Sequence, residues 1–250
     1  GLMDRLFTGF RLMLANVKGA LYIAVLVTAT LFAAATGIVG ASVTLLGVMA
    51  APIMKHAGYD IKLSAGSIAA GGTLGMLIPP SIMLVVMGPV VGVPITELFA
   101  AAVIPGIVLA TLYTLYAVCR CYINPSLGPA LPEAERADSI AEILKELMIG
   151  IVPLAVLILS VLGSILAGLA TPTDAAAMGA LGAFLLAISY RRLTWSNLKV
   201  AVFKTILISS MILFLVATSN FYGAVFSLLG TAGMIAETLV ALELAPTLLL

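Results

Sequence analysis

Of the 250 residues, 62% are hydrophobic and only 9% are charged, and the mean hydropathy is +1.23. Soluble domains carry a charge at about a quarter of their positions, so this composition excludes an ordinary soluble protein and leaves a polytopic one in the lipid bilayer. A net charge of +1 excludes nucleic-acid binding through a basic surface.

Residues 1–18 space apolar side chains around Arg5, Arg11 and Lys18, the pattern of an interfacial amphipathic arm helix. The uncharged run 19–54 follows, with basic residues at both ends: Arg5, Arg11 and Lys18 before it, Lys55 and Lys62 after it. Cytoplasmic flanks collect Lys and Arg, so both ends belong on one side of the membrane. A single crossing needs about 20 residues, which makes this run too long for one helix and short for two with a turn. Its midpoint, "TGIVGAS" at 36–42, has none of the Asn, Asp or Pro of a water-exposed turn. The reading is a re-entrant hairpin with a buried tip at Thr36, Gly37, Gly40 and Ser42; two thin crossings remain the alternative.

The next uncharged run, 63–96, begins basic and ends acidic, as one crossing would. "GGTLGMLIPPS" (71–81) lies near its middle. Proline removes a backbone donor and disfavours helix in the residue before it, so Pro79 and Pro80 predict a broken helix with halves at 66–78 and 81–92. Residues 98–119 return inward, 120–146 form a cytoplasmic connection, and crossings follow at 147–169, 175–190 and 205–228. On this path all 12 Lys and Arg residues lie inside. The connection holds "EAERADSIAEILKEL" (133–147), a surface helix. Cys119 and Cys121 are either two reduced thiols at a helix end or a metal or redox pair, and a metal needs more ligands than two. Thr171, Pro172 and Asp174 in "TPTD" make a capping-box-like start. Trp195 suits an interfacial anchor, and Thr218, Ser219 and Asn220 either line a transport domain or bond neighbouring helices. His56 is the single histidine; no HExxH, GxSG or GxxxxGK[ST] stretch occurs, so neither a protease nor an ATPase constellation is visible.

Non-helical backbone at mid-membrane is tolerated only inside protein or a water-filled cavity, and broken helices are the recurrent device of secondary transporters. C-termini of half-helices and unwound carbonyls hold Na⁺, while N-termini face an anion. Here Gly72 and Gly75 let backbone approach, Thr73 offers a hydroxyl, Pro79 and Pro80 break the helix, and Ser81 is placed to cap the second half. The substrate- and ion-binding residues expected are therefore Thr36, Gly37, Gly40, Ser42, Gly72, Thr73, Gly75, Pro79, Pro80 and Ser81, with Na⁺ held through the backbone of Gly37, Gly40, Thr73 and Gly75. A packing kink is the plainer account. Neither run contains Lys or Arg, so an anionic substrate would be neutralised by bound cations and helix ends, which favours cation-coupled symport.

"GASVTLLGVMAAPIMKHAGYD", "LSAGSIAAGGTLGMLIPPSIM" and "GLATPTDAAAMGALGA" together resemble the large membrane subunit of the TRAP transporters, the tripartite ATP-independent periplasmic carriers, in the same order along most of the chain. The resemblance implies an all-α polytopic membrane protein of the ion-transporter type: an elevator fold with a re-entrant hairpin and a broken helix, in the bacterial inner membrane. It implies no enzyme and no organic cofactor, but a Na⁺-driven importer of organic acids such as C4-dicarboxylates. Its partners would be a periplasmic substrate-binding protein and a small four-helix membrane subunit, with no nucleic acid. Many family members carry Ser-Gly-Ser-Ser at the tip, where this chain has Thr36, Gly37, Ile38 and Val39, so side-chain ligation gives way to backbone carbonyls. The family's second hairpin and second Pro-Pro break are not in this stretch. Residues 147–228 would be helices of the second repeat, and 229–250 a second arm helix and the start of a missing hairpin. The start "GLMDRLF" and the end "LAPTLLL" read as truncated at both ends, and such a piece alone should not transport. Two other classes stand beside this one: an elevator-type anion/sodium symporter working without a binding protein, and a non-transporting membrane scaffold.

Overall fold

Two prolines and a left-handed glycine divide what would otherwise be long apolar helices, and the fold is built around those divisions. The computed structural model describes residues 2–15, 17–130, 140–231, 233–235 and 237. All regular elements among them are helical. The chain separates into two compact units, residues 1–189 and 190–250.

In the first unit, α1 (Leu2–Met13) leads into α2 (Ala20–Thr36) and α3 (Val39–His56), which form a helical hairpin turned at Gly37 and Ile38. Gly37 has φ of +60°, a conformation that costs any L-residue with a Cβ. After a loop, α4 (Ile61–Thr73) tightens into a 3₁₀ turn (Leu74–Met76) and stops; the chain crosses Pro79 and Pro80, joined by a cis peptide bond, before α5 (Ile82–Val91) resumes. The first half thus starts at Ile61 rather than 66 because the Asp60 carboxylate caps it, accepting the Leu63 N–H at 2.8 Å. α6 (Ile95–Ile123) returns in one piece. α7 (Ile140–Ile158) continues through a π-turn (Leu159–Gly163) into the single turn α8 (Ser164–Leu166), and α9 (Pro172–Ser189) closes the unit.

Five helical segments among the described residues are long and apolar enough to cross a membrane: Val39–His56, Ile95–Ile123, Ile143–Leu166, Pro172–Ser189 and Trp195–Leu228. The protein is an all-α polytopic membrane protein. A boundary at 146/147, expected between a surface helix and a crossing, is absent: the helix runs unbroken from Ile140, since nothing in "IAEILKELMIGI" removes a donor. The rest of the connection, 131–139, lies outside the described residues.

α1 packs apolar side chains against protein, with Leu6 and Phe7 almost fully buried. A methyl group placed on Gly9 would sit 2.8 Å from Leu147, and one on Gly150 would sit 2.9 Å from Leu6, so α1 and α7 approach through glycines on both sides. Arg5 and Glu146 close the contact at 3.0 Å; both are partly exposed, which limits the pair to under about 1 kcal/mol.

The main core joins the hairpin to α1, α4 and α6. Tyr22, Leu26, Leu46, Met54 and Ala117 are buried together. Lipid is as apolar as these side chains, so the packing is held by dispersion and close fit rather than by release of water. At one end a polar latch secures it. The Tyr22 hydroxyl donates to the Leu127 carbonyl at 2.7 Å, its ring lies 4.9 Å from that of Tyr59, and the Tyr59 hydroxyl accepts the Leu21 N–H at 3.3 Å. Burial pushes the Tyr59 phenol up to about 12, so it remains neutral. Cys121 is buried there and Cys119 is exposed; both thiols are free, and among the described residues no three His, Cys, Asp or Glu side chains are grouped for a metal.

The second unit is α10 (Trp195–Leu228), started by Thr194, whose hydroxyl accepts the Asn197 N–H at 3.2 Å. Thr218 turns its hydroxyl back onto the Phe214 carbonyl of the same helix. Positions 232, 236 and 238–250, where a second arm helix is expected, lie outside the described residues.

Candidate functional site

The two interruptions meet. A Cβ on Gly37 would lie 2.9 Å from the Pro80 carbonyl oxygen, 3.3 Å from the Ile82 nitrogen and 3.4 Å from the Ser81 Cα. The hairpin tip therefore rests its backbone directly on the backbone of the broken helix, at a point where only hydrogen fits. Beside this contact is a cavity of about 350 Å³ lined by Thr36 of the tip, Pro80 and Ser81 of the break, Val161 of the π-turn, and Gly179 of α9.

Helix ends surround that contact. α2 and the 3₁₀ extension of α4 end beside it, and α3 and α5 begin beside it with N–H groups that have no partner in the preceding turn. Such ends carry partial charges of about half a unit, negative for the first pair and positive for the second. The prolines sharpen this arrangement. In a continuous helix the N–H groups of residues 79 and 80 would reach the carbonyls of Gly75 and Met76, and proline has none to give.

Ser81 answers part of that deficit and corrects an expectation. It occupies the N-cap position of α5 but makes no capping bond; its buried hydroxyl instead donates backwards to the Met76 carbonyl at 2.7 Å. The carbonyl orphaned by Pro80 is the stronger claimant inside the protein, because the first N–H groups of α5 border a cavity.

At the tip, Ser42 is buried and donates to the Ile38 carbonyl at 2.9 Å, while Thr36 donates to the Phe32 carbonyl at 3.0 Å; the two hydroxyl oxygens lie 3.4 Å apart across the turn. Both protons are engaged within the hairpin, and lone pairs remain. Gly75 and Pro79 are buried behind the break. Gly72 serves packing: a Cβ there would collide with Val43, 3.0 Å from its nitrogen, so α3 and α4 touch at this residue. Thr73 is exposed and its hydroxyl donates to its own helix at Ala70 (2.7 Å). Gly40 has open space around it, and its carbonyl accepts the Thr44 hydroxyl at 2.7 Å. Thr36, Gly37, Pro80 and Ser81 are thus gathered at one place; Gly40, Gly72 and Thr73 do not line it.

Three contributors escaped the sequence reading. Val161 enters through the π-turn, a device frequent at functional sites. Ala176, Gly179 and Ala183 of α9 line the far wall, and their spacing of three and four residues on one helix face was the available signal. Gly106 of α6 admits the break from behind, with Ile78 at 2.9 Å from where its Cβ would be. The "TPTD" start holds as a cap: the Thr171 hydroxyl accepts the Asp174 N–H at 3.2 Å and donates to its carboxylate at 2.6 Å, so Asp174 is occupied in starting α9.

A family model described as tripartite ATP-independent periplasmic transporter, DctM component, matches residues 1–250. The chain belongs to the DctM family. It is 30% identical to the C4-dicarboxylate TRAP transporter large permease protein of Pseudomonas aeruginosa over 100% of this chain and 57% of that protein. The ectoine TRAP transporter large permease protein of Halomonas elongata is 29% identical over 98% of this chain and 56% of its own length. The 2,3-diketo-L-gulonate TRAP transporter large permease protein of Escherichia coli is 30% identical, with 91% of this chain and 52% of that protein covered. The chain therefore spans little more than half the length of these relatives. Its family and its five long apolar helices make it a multi-pass protein of the bacterial inner membrane.

Proposed function

We propose that this chain carries part of the ion and substrate site of a Na⁺-coupled, elevator-type permease importing organic acids. A periplasmic binding protein would deliver the acid, and a small four-helix membrane subunit would serve as scaffold. The observation that carries this reading is the backbone contact between Gly37 at the hairpin tip and Pro80–Ser81 at the helix break. A chain reversal and a helix break abutting inside apolar surroundings bring carbonyls and N–H ends into one place without an ionised side chain. A mere kink needs neither a second interruption nor a cavity beside it.

Na⁺ would be held by carbonyl oxygens at the ends of α2 and α4. Gly37 and Gly75 suit the role best: the first lies at the contact, and the second loses its helical donor to Pro79. Gly40 and Thr73 suit it less, the one with its carbonyl already bonded and the other exposed. The acid's charge would then face the bound cation and the N-termini of α3 and α5. Relatives named for C4-dicarboxylate and for 2,3-diketo-L-gulonate support an acid as cargo, and one named for ectoine argues against narrowing it to C4-dicarboxylates.

The test is uptake of a labelled acid by the complete transporter in proteoliposomes, with and without its binding protein, under Na⁺ or K⁺ gradients. Accumulation should require both Na⁺ and the binding protein. Equal accumulation under K⁺ would overturn the Na⁺ coupling. Accumulation that ignores the binding protein would favour an autonomous symporter, and none with any acid would favour a scaffold.

A further inference from the structure

A larger cavity, of about 650 Å³, opens between α4 and α6 at the end of the molecule that carries their basic residues. It shares no lining residue with the cavity at the helix breaks and stands independently of the transport reading. α6 contributes Tyr113, Tyr116, Ala117 and Arg120, spaced along one helix face; seven residues at 1.5 Å make that wall about 10 Å deep. Leu26, Leu63, Ala70 and Ala117 make much of the lining apolar, with Ser67 among them.

At the mouth are Lys62 of α4 and Arg120 of α6, both exposed, and neither forms a salt bridge among the described residues. Asp60 is the acidic residue of the wall and caps α4 by accepting the Leu63 N–H, so the lining holds two basic side chains against one carboxylate. Lys62 and Arg120 therefore stand at the end of a mostly apolar groove, with Tyr116 about one turn and Tyr113 about two turns along α6 from Arg120, side chains that suit the boundary between headgroups and acyl chains.

We propose that this groove binds an anionic phospholipid, its phosphodiester between Lys62 and Arg120 and an acyl chain along Ala117, Ala70 and Leu26. A soluble anion would satisfy the cations and make no use of about 10 Å of apolar wall. An uncharged lipid would cover the wall and leave the excess positive charge of the mouth unmatched. A molecule with both parts matches both, and the cytoplasmic leaflet supplies it at this height. Basic pockets between membrane helices on that side take such headgroups, and guanidinium matches phosphate in a bidentate fork.

The experiment is native mass spectrometry of the complete protein, delipidated in an uncharged detergent and titrated with phosphatidylglycerol, phosphatidylcholine or inorganic phosphate. Phosphatidylglycerol should bind in preference to phosphatidylcholine, and excess inorganic phosphate should not displace it. Lys62→Gln and Arg120→Gln should each weaken phosphatidylglycerol binding about fivefold, the effect of one cation at an anionic membrane surface. The pair Lys62→Arg with Arg120→Lys should retain binding, which separates lost charge from lost folding. Ala117→Phe should weaken it with both charges in place. Equal binding of the two lipids, or wild-type binding by the doubly neutralised variant, would overturn the proposal. Displacement by inorganic phosphate would overturn it in favour of a soluble-anion site.

Discussion

Gly37→Ala should separate the hairpin tip from the broken helix. At φ of +60° an alanine pays about 1–2 kcal/mol for its Cβ alone. That Cβ would also stand 2.9 Å from the Pro80 oxygen and 3.3 Å from the Ile82 nitrogen. Both are backbone atoms beside a proline pair, so neither can swing aside as a side chain would. On the proposed reading Na⁺ binds with tip and break in contact, so the strain of that contact opposes its binding. At least about 1–2 kcal/mol should then appear as weaker Na⁺ binding, a factor of about 5–30. Gly40→Ala provides the contrast, since its Cβ would meet nothing within 4 Å and its backbone is ordinary helix. The assay is thermal unfolding of the complete protein across a Na⁺ titration, with K⁺ as reference. Gly37→Ala should raise the half-saturating Na⁺ concentration about 5–30-fold, and Gly40→Ala should leave it unchanged. An unaltered titration for Gly37→Ala, or equal damage from Gly40→Ala, would refute the reasoning.

Ser81→Ala should destabilise the protein by about 1–3 kcal/mol, because it strips the donor from a Met76 carbonyl whose helical partner is a proline; an unchanged melting temperature would show that water or another group takes over. Gly72→Ala should cost about 1–3 kcal/mol by pushing the Val43 backbone off α4. Gly66→Ala, on the same helix with open space around it, should be tolerated, so similar melting temperatures for the two variants would count against the close α3–α4 contact.

The helix interruptions were legible because their causes are local. Pro79 and Pro80 lack N–H groups wherever they sit, and the small residues of "TGIVGAS" at the midpoint of a run with basic flanks predict a reversal there. The crossing helices were legible for a similar reason: a residue's aversion to water or lipid does not depend on its neighbours in space. Boundaries proved harder where a cap intervened. Asp60 extends α4 to Ile61, and α7 runs through residue 147 because no donor is missing there.

Which surfaces meet is another matter. Gly37 and Pro80 are remote in sequence, Val161 and Gly179 still more so, and no single segment encodes their arrival at one cavity. Ser81 illustrates the point at atomic scale: its place before a helix predicts a cap, yet its hydroxyl turns to Met76 because the folded backbone leaves that carbonyl in greater need. The face of α1, apolar enough for lipid, is covered by α7 because glycines at 9 and 150 permit a close approach that composition cannot announce. Sequence by itself determined the membrane class, the positions of the breaks and the absence of fixed charge beside them, since each follows from the chemistry of single residues. Tertiary structure alone decided which carbonyls, hydroxyls and helix ends share a space, because that depends on the fit of distant surfaces.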